Sequence, residues 1–203
     1  MLFRSDEAIT RAKHLFDEIA ESGIELEMIN LGGGFPANYL DPTHPIEIYA
    51  EEITRFLHAR FGETLPRVIA EPGRYLVADA GVLVSEIILV TRKARNNIYR
   101  WVYVDAGLFG GLIEAVGEAI KYPILFDGAG EAEEIIIAGP TCDSMDILYE
   151  NHKYQMPEGT TTGDRLYIFA TGAYTYSYSS VAFNGFPPLE TRTLARQADH
   201  AAG

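Results

Sequence analysis

In Leu26-Glu-Met-Ile-Asn-Leu-Gly-Gly-Gly-Phe-Pro36, Leu26 to Leu31 reads as a short buried strand that runs straight into three glycines. Working outward, residues 6–22 carry Ile9, Ala12, Leu15, Phe16 and Ile19 at helical spacing, with Ser5 as an N-cap and Gly23 as the stop. On the other side, Pro45 opens a second helix that runs to Phe61 and gathers Ile46, Tyr49, Ile53, Phe56 and Leu57 on one stripe. Val68 to Ala70 then reads as another short strand, ending on Glu71-Pro72. Strand, loop, helix and strand, with the unusual residues at strand ends, is how parallel α/β barrels place their sites. Residues 1–80 are therefore expected to be the last units of such a barrel.

The pattern changes after Ala80. Val82–Thr91, Tyr99–Val104, Glu134–Ile137 and Arg165–Ala170 are β-branched or aromatic runs broken by glycine, asparagine and proline. They predict an antiparallel β domain, barrel or sandwich, over residues 81–190, with Asn96-Asn97 as a hairpin turn. Residues 191–203 are polar and alanine-rich and read as a flexible tail.

Composition narrows the function. A net charge of −13 argues against nucleic acid as a partner, because phosphate backbones demand basic patches. No apolar run approaches the roughly 18 residues that span a bilayer, and the N-terminus lacks a charged-then-apolar signal pattern, so no membrane partner and a cytoplasmic location are expected. The single cysteine, Cys142, forms no internal disulfide. With one cysteine and scattered histidines there is no zinc-ligand spacing, and no metal is expected.

Three further stretches stand beside the glycines. Gly32, Gly33 and Gly34 let bare backbone approach an anion, and successive N–H groups can form a phosphate nest, although a tight turn without a ligand uses the same residues. The spacing is neither the triphosphate loop nor the dinucleotide fingerprint. Glu71-Pro-Gly-Arg74 sets a carboxylate and a guanidinium three residues apart at a strand end; they can serve a charged ring and a phosphate, or brace the loop as an ion pair. Gly139-Pro-Thr-Cys-Asp-Ser144 follows an apolar run and places a thiol beside a carboxylate, where Cys142 is either a packed small hydrophobe or an accessible proton donor. Gly172-Ala-Tyr174 puts a hydroxyl just past a strand, and Tyr174, Tyr176 and Tyr178 alternate as if along one strand face.

In their order and spacing these stretches resemble the ornithine/diaminopimelate/arginine decarboxylase family, pyridoxal phosphate enzymes of the alanine-racemase-like fold type. The resemblance runs from about Asp6 to Leu189. It is closest to the ornithine and ornithine/lysine decarboxylase branch through Phe109-Gly-Gly-Leu-Ile-Glu114, Glu118-Ala-Ile-Lys-Tyr-Pro123 and Val181-Ala-Phe-Asn-Gly-Phe-Pro-Pro-Leu189. The resemblance implies the carboxy-terminal part of a pyridoxal phosphate-binding barrel followed by a β domain. It implies that Gly32, Gly33 and Gly34, with Pro72, Gly73, Arg74 and Tyr174, hold the cofactor's phosphate end, and that Glu71 pairs with the pyridine nitrogen. Cys142 would reprotonate the substrate's α-carbon, and Asp143, with Asp127 as a looser match, would hold a distal ammonium. In this family the sites are shared across a homodimer. Diaminopimelate decarboxylases usually carry Glu after the cysteine, so Asp143 favours a substrate ending in a bare ammonium, ornithine or lysine, with putrescine or cadaverine as product.

The family's cofactor-bearing lysine lies on the first barrel strand, upstream of this segment. Lys13, Lys93, Lys121 and Lys153 do not match it, so the chain reads as the carboxy-terminal part of a longer enzyme, inactive by itself. The alternative is an inactive homologue that regulates an intact decarboxylase by heterodimer formation; retention of Glu71, Arg74, Cys142 and Asp143 favours the enzyme.

Overall fold

The computed structural model describes residues 2–93 and 98–194, with side chains from residue 6 onward. The chain divides into two compact units, residues 1–81 and 82–203.

The first unit holds α1 (Leu2–Glu21), β1 (Met28–Asn30), α2 (Ile46–Phe61), β2 (Arg67–Ile69) and the short α3 (Gly73–Val77). Helix α1 runs through Ser5, so that residue is not its N-cap; Gly23, at φ 80°, follows its last turn. Helix α2 starts after Pro45, whose φ of −54° suits a helix entrance, and stops at Gly62, at φ 73°. β1 and β2 pair in parallel, Met28 opposite Arg67 and Asn30 opposite Ile69, with α2 as the connection. Ile9, Ile29 and Leu57 form the core, and Phe16 meets Phe61 edge to face at 5.1 Å. Two expectations fail here. Leu15 is exposed rather than part of the α1 stripe, and β1 is not a buried strand, since Leu26 and Met28 stay exposed. The reason is the size of the sheet: two strands of three residues shelter one side chain, Ile29, and leave their other faces open.

The second unit is a six-stranded sheet built from β3 (Val82–Thr91), β4 (Arg100–Val104), β5 (Ile124–Phe126), β6 (Ala132–Ala138), β7 (Ile147–Pro157) and β8 (Arg165–Phe169). The strand order is β5-β8-β3-β4-β6-β7. β3 is long enough to serve two neighbours: Val82–Glu86 pair with β8, and Ile87–Thr91 pair with β4 across an irregularity. The expected all-antiparallel domain is corrected to a mixed sheet, because β4 and β6 run parallel, Arg100 opposite Ile135 and Tyr103 opposite Ala138. A parallel pair needs a long crossover, and residues 105–131 supply it, with helical turns at Leu108–Leu112 and Ile113–Glu118 and strand β5 on the way. The Asn96-Asn97 turn lies outside the described residues, as does the tail beyond residue 194.

The end strands of the sheet are drawn together by tyrosines. Tyr122, just before β5, donates its N–H to the Tyr149 hydroxyl at 3.2 Å and accepts the Tyr154 hydroxyl at 2.6 Å, both from β7. Tyr149 in turn donates to the Ile120 carbonyl at 3.0 Å. Burial pushes the Tyr149 hydroxyl up to about 12 and raises that of Tyr154 further still. The sheet therefore curls, and β7 is tied down rather than left as an open edge. A second tie is Glu118, whose carboxylate accepts the consecutive N–H groups of Glu150, Asn151 and His152 at 2.8, 2.6 and 2.9 Å. Burial raises its pKa, but those three donors outweigh the burial and leave it lowered.

Candidate functional site

The sequence-selected residues fall in two sets, one per unit. In the first unit the parallel pairing of β1 and β2 brings both strand ends to the same level. Beyond the strands the ladder continues through Leu31 N–H to Ile69 O and Glu71 N–H to Gly32 O, each at 2.9 Å, so the glycine loop and Glu71 are joined by backbone. Gly32 and Gly34 take φ of 69° and 83°. At Gly33 the constraint is contact rather than torsion, since a Cβ would lie 2.7 Å from the Glu71 carbonyl. Pro72, at φ −79° and ψ 42°, closes a three-residue turn in which Gly73 N–H donates to Glu71 O at 2.8 Å. That turn starts α3, where Arg74 Nη1 donates to the Tyr39 hydroxyl at 2.8 Å.

Sequence reading missed the residue that aims Glu71. Asn30 Nδ2 donates to Glu71 Oε1 at 2.7 Å, while Asn30 Oδ1 accepts the Gly32 N–H at 2.9 Å. One amide thus orients the carboxylate and shapes the glycine loop. Its signal was available: an asparagine closing an otherwise apolar strand, two residues before a glycine.

In the second unit β6 ends at Ala138 and the chain turns through Gly139-Pro140-Thr141 to Cys142. The Cys142 thiol is exposed, and Asn184 Nδ2 donates to its sulfur at 3.7 Å. Phe183, beside Asn184, stacks on Phe109 with centroids 4.1 Å apart. These rings, with Asp105, Pro140, Thr141 and Phe186, line a cavity of about 220 Å³. Asp143 is half-buried and accepts the Met145 N–H on Oδ1 at 2.8 Å, which fixes the carboxylate beside the thiol turn. A thiol, a carboxylate and a small aromatic-walled cavity therefore lie at one end of the sheet.

Two further selected residues, Asp127 and Tyr174, belong to this unit. Asp127 donates its N–H to Arg165 O and accepts Thr160 Oγ1 on its carbonyl, which puts it where β8 begins. Thr160 also accepts Arg100 Nη2, at the start of β4. The cavity beside Cys142 is lined by two acidic residues, Asp105, directly after β4, and Glu190. Tyr174 follows β8 at φ 56°, its ring 5.3 Å from that of Tyr178. The three tyrosines do not line a strand, because residues 176–178 form a helical turn.

A family model described as the C-terminal sheet domain of pyridoxal-dependent decarboxylases matches residues 24–172. This chain belongs to the pyridoxal-dependent decarboxylases. The match contains the glycine loop, Glu71–Arg74 and Cys142-Asp143, and ends two residues before Tyr174. Among curated relatives, the diaminopimelate decarboxylase of Staphylococcus aureus is 35% identical over 178 residues, 85% of this chain and 41% of that protein. The lysine/ornithine decarboxylase of Selenomonas ruminantium is 31% identical over 198 residues, 97% of this chain and 48% of that protein. Among solved structures, the lysine/ornithine decarboxylase of Vibrio vulnificus complexed with cadaverine superposes with a TM-score of 0.81 at 30% identity, covering 96% of this chain and 52% of that one. The chain thus spans about half the length of the relatives it matches.

The residues present in this decarboxylase chain fit pyridoxal phosphate. Gly32 and Gly34 lie in the left-handed region, nothing stands within 4 Å of where a Cβ of Gly32 would be, and an exposed carboxylate held by Asn30 stands next to that loop. A phosphate and a protonated ring nitrogen are what such donors and such an acceptor suit.

Proposed function

We propose that this chain is the carboxy-terminal part of a pyridoxal phosphate-dependent decarboxylase of ornithine or lysine, producing putrescine or cadaverine. The first unit would be the closing strand–helix units of the cofactor-binding barrel, and the second its sheet domain. The enzyme would work as a homodimer in which Cys142 and Asp143 of one protomer serve its partner's cofactor. The single observation that carries the substrate class is Asp143 fixed beside Cys142, its Oδ1 held by the Met145 N–H. A carboxylate there attracts a distal ammonium and repels the distal carboxylate of diaminopimelate. The 97% coverage by a lysine/ornithine decarboxylase agrees with this reading, while the diaminopimelate relative sets the competitor to be tested.

Bound pyridoxal phosphate supplies an electron sink for the charge left on the α-carbon when CO2 departs. Glu71, aimed by Asn30, would keep the ring nitrogen protonated and so stabilise that charge as it develops. Gly33 and Gly34 would give backbone N–H groups to the phosphate, while Gly32, its own N–H held by Asn30, shapes the loop, and Arg74 and Tyr174 would add charge-assisted and hydroxyl donors. Cys142 would give its thiol proton to the α-carbon, with Asn184 orienting the sulfur.

The test is release of CO2 from carboxyl-labelled ornithine, lysine and meso-diaminopimelate by the complete polypeptide carrying this chain. Ornithine or lysine should be turned over at least about tenfold faster than diaminopimelate, a difference of ~1.4 kcal/mol. Faster turnover of diaminopimelate, or none of any of the three, overturns the proposal.

A further inference from the structure

Asp146 carries no role in the reading above, yet among the described residues it is the one acidic side chain that is buried. It is 2% exposed. Its Oδ1 accepts the Leu108 N–H at 2.7 Å, and its Oδ2 accepts both the N–H and the hydroxyl of Thr141, at 3.1 and 2.7 Å. Its backbone joins in: Gly139 N–H donates to Asp146 O at 2.8 Å, and Asp146 N–H donates to Asp143 O at 3.1 Å. Gly107 and Gly139 pack flat on the carboxylate, and a Cβ on either would overlap it.

These contacts join the two loops that build the cavity. Leu108 opens the turn that carries Phe109, and Thr141 is the neighbour of Cys142. Phe109 stacks on Phe183, and the adjacent Asn184 reaches the Cys142 sulfur, so residues 183–184 link the two loops a second time. We infer that Asp146 is the positioning residue of the site: its buried carboxylate clasps the Phe109 turn to the Cys142 loop and thereby sets where the thiol stands. The bearing of this on proton delivery rests on the function proposed above; the clasp itself does not.

An amide cannot replace the carboxylate. Both oxygens receive a backbone N–H, and an asparagine has one oxygen, so its NH2 must face either Leu108 N–H or Thr141 N–H. The hydroxyl of Thr141 can rotate away, but the backbone donors cannot. Asp146→Asn keeps the shape and breaks one side of the clasp.

Cys142 is the only cysteine of the 203-residue chain, so alkylation by iodoacetamide reports on it alone. Three variants are compared with the parent at 25 °C, without cofactor: Asp146→Asn, Thr141→Val, and Glu118→Gln, whose carboxylate braces β7 without touching the Cys142 loop. Asp146→Asn should accelerate alkylation at least about threefold and speed amide exchange at Leu108 or Thr141. Thr141→Val, which removes one donor of three, should show a smaller acceleration and serves if Asp146→Asn does not fold. Glu118→Gln should leave the rate unchanged although it lowers stability. Unchanged alkylation in both clasp variants, or equal acceleration in Glu118→Gln, overturns the inference. Accelerated alkylation in a protein whose complete form decarboxylates nothing would leave the clasp standing and sink the proposed function instead.

Discussion

Glu71 and Cys142 each lie just past the end of a strand, but opposite kinds of structure hold them. Glu71 is fixed locally, by a backbone ladder, a proline turn and an asparagine, in a unit whose strands are three residues long and partly bare. Cys142 is fixed at long range, by a buried carboxylate that draws on a segment 38 residues away, in a unit whose central strands bury Ile87, Val102, Ile135 and Ile137 completely. The first arrangement can be written into a short motif. The second needs a folded sheet before it exists. In the proposed enzyme this matches the tasks: a cofactor's charge and phosphate are met by dipoles and charges on a loop, while a proton donor must be aimed.

The largest effect should come from removing the locally held group. In the complete enzyme, Glu71→Gln is expected to lower kcat by about 10²–10³-fold, with much less change in cofactor affinity. Steady-state kinetics and cofactor titration check the split; equal losses in both would mean that Glu71 binds rather than stabilises developing charge. Next in size is the stability contrast itself. Amides of β1 and β2 should exchange at least about 100-fold faster than those of β3 and β6, because few apolar contacts protect them. Equal protection would erase the distinction between the units.

Legibility in the sequence follows the same division. The glycine loop, Glu71–Arg74 and the strand β3 were readable because their signals are contiguous: glycine at bare-backbone positions, proline at a fixed turn, a largely apolar, β-branched run over ten residues. β7 was not, because its centre reads Glu150-Asn151-His152-Lys153, and three of those backbone N–H groups serve Glu118 rather than a neighbouring strand. The parallel pairing of β4 and β6 was hidden for another reason: pairing direction is set by the path of the intervening 105–131 segment, not by the composition of either strand. Asp146 and Asn184 went unread because their partners, Leu108 and Cys142, are 38 and 42 residues distant.

Two smaller effects probe what ties the sheet together. The pKa of Glu118 is lowered in the folded state, so its contribution is present above the unfolded carboxyl value, about 4.3, and is lost as pH falls through the folded one. Glu118→Gln should cost about 1–2 kcal/mol near neutrality and flatten the acid limb of stability against pH, measured by urea unfolding. An acid limb as steep as the parent's would place the acid sensitivity elsewhere. Tyr149 works in the other direction. Its pKa rises from 10.0 to about 12, so its stabilisation is whole below pH 10 and declines as pH climbs towards 12. Tyr149→Phe should soften that alkaline loss, at the cost of about 1 kcal/mol at neutral pH from the hydrogen bonds to Tyr122 and Ile120. An unaltered alkaline limb would show that this hydroxyl does not titrate with unfolding.

The most direct measurement on the central claim is the product balance of Cys142→Ala in the complete enzyme, with ornithine as substrate. Putrescine and CO2 are counted in the same reaction. The parent should give one putrescine per CO2, and Cys142→Ala should give less putrescine than CO2, the deficit leaving as another product, because no thiol stands ready to protonate the α-carbon. One putrescine per CO2 in both proteins would contradict Cys142 as the proton donor.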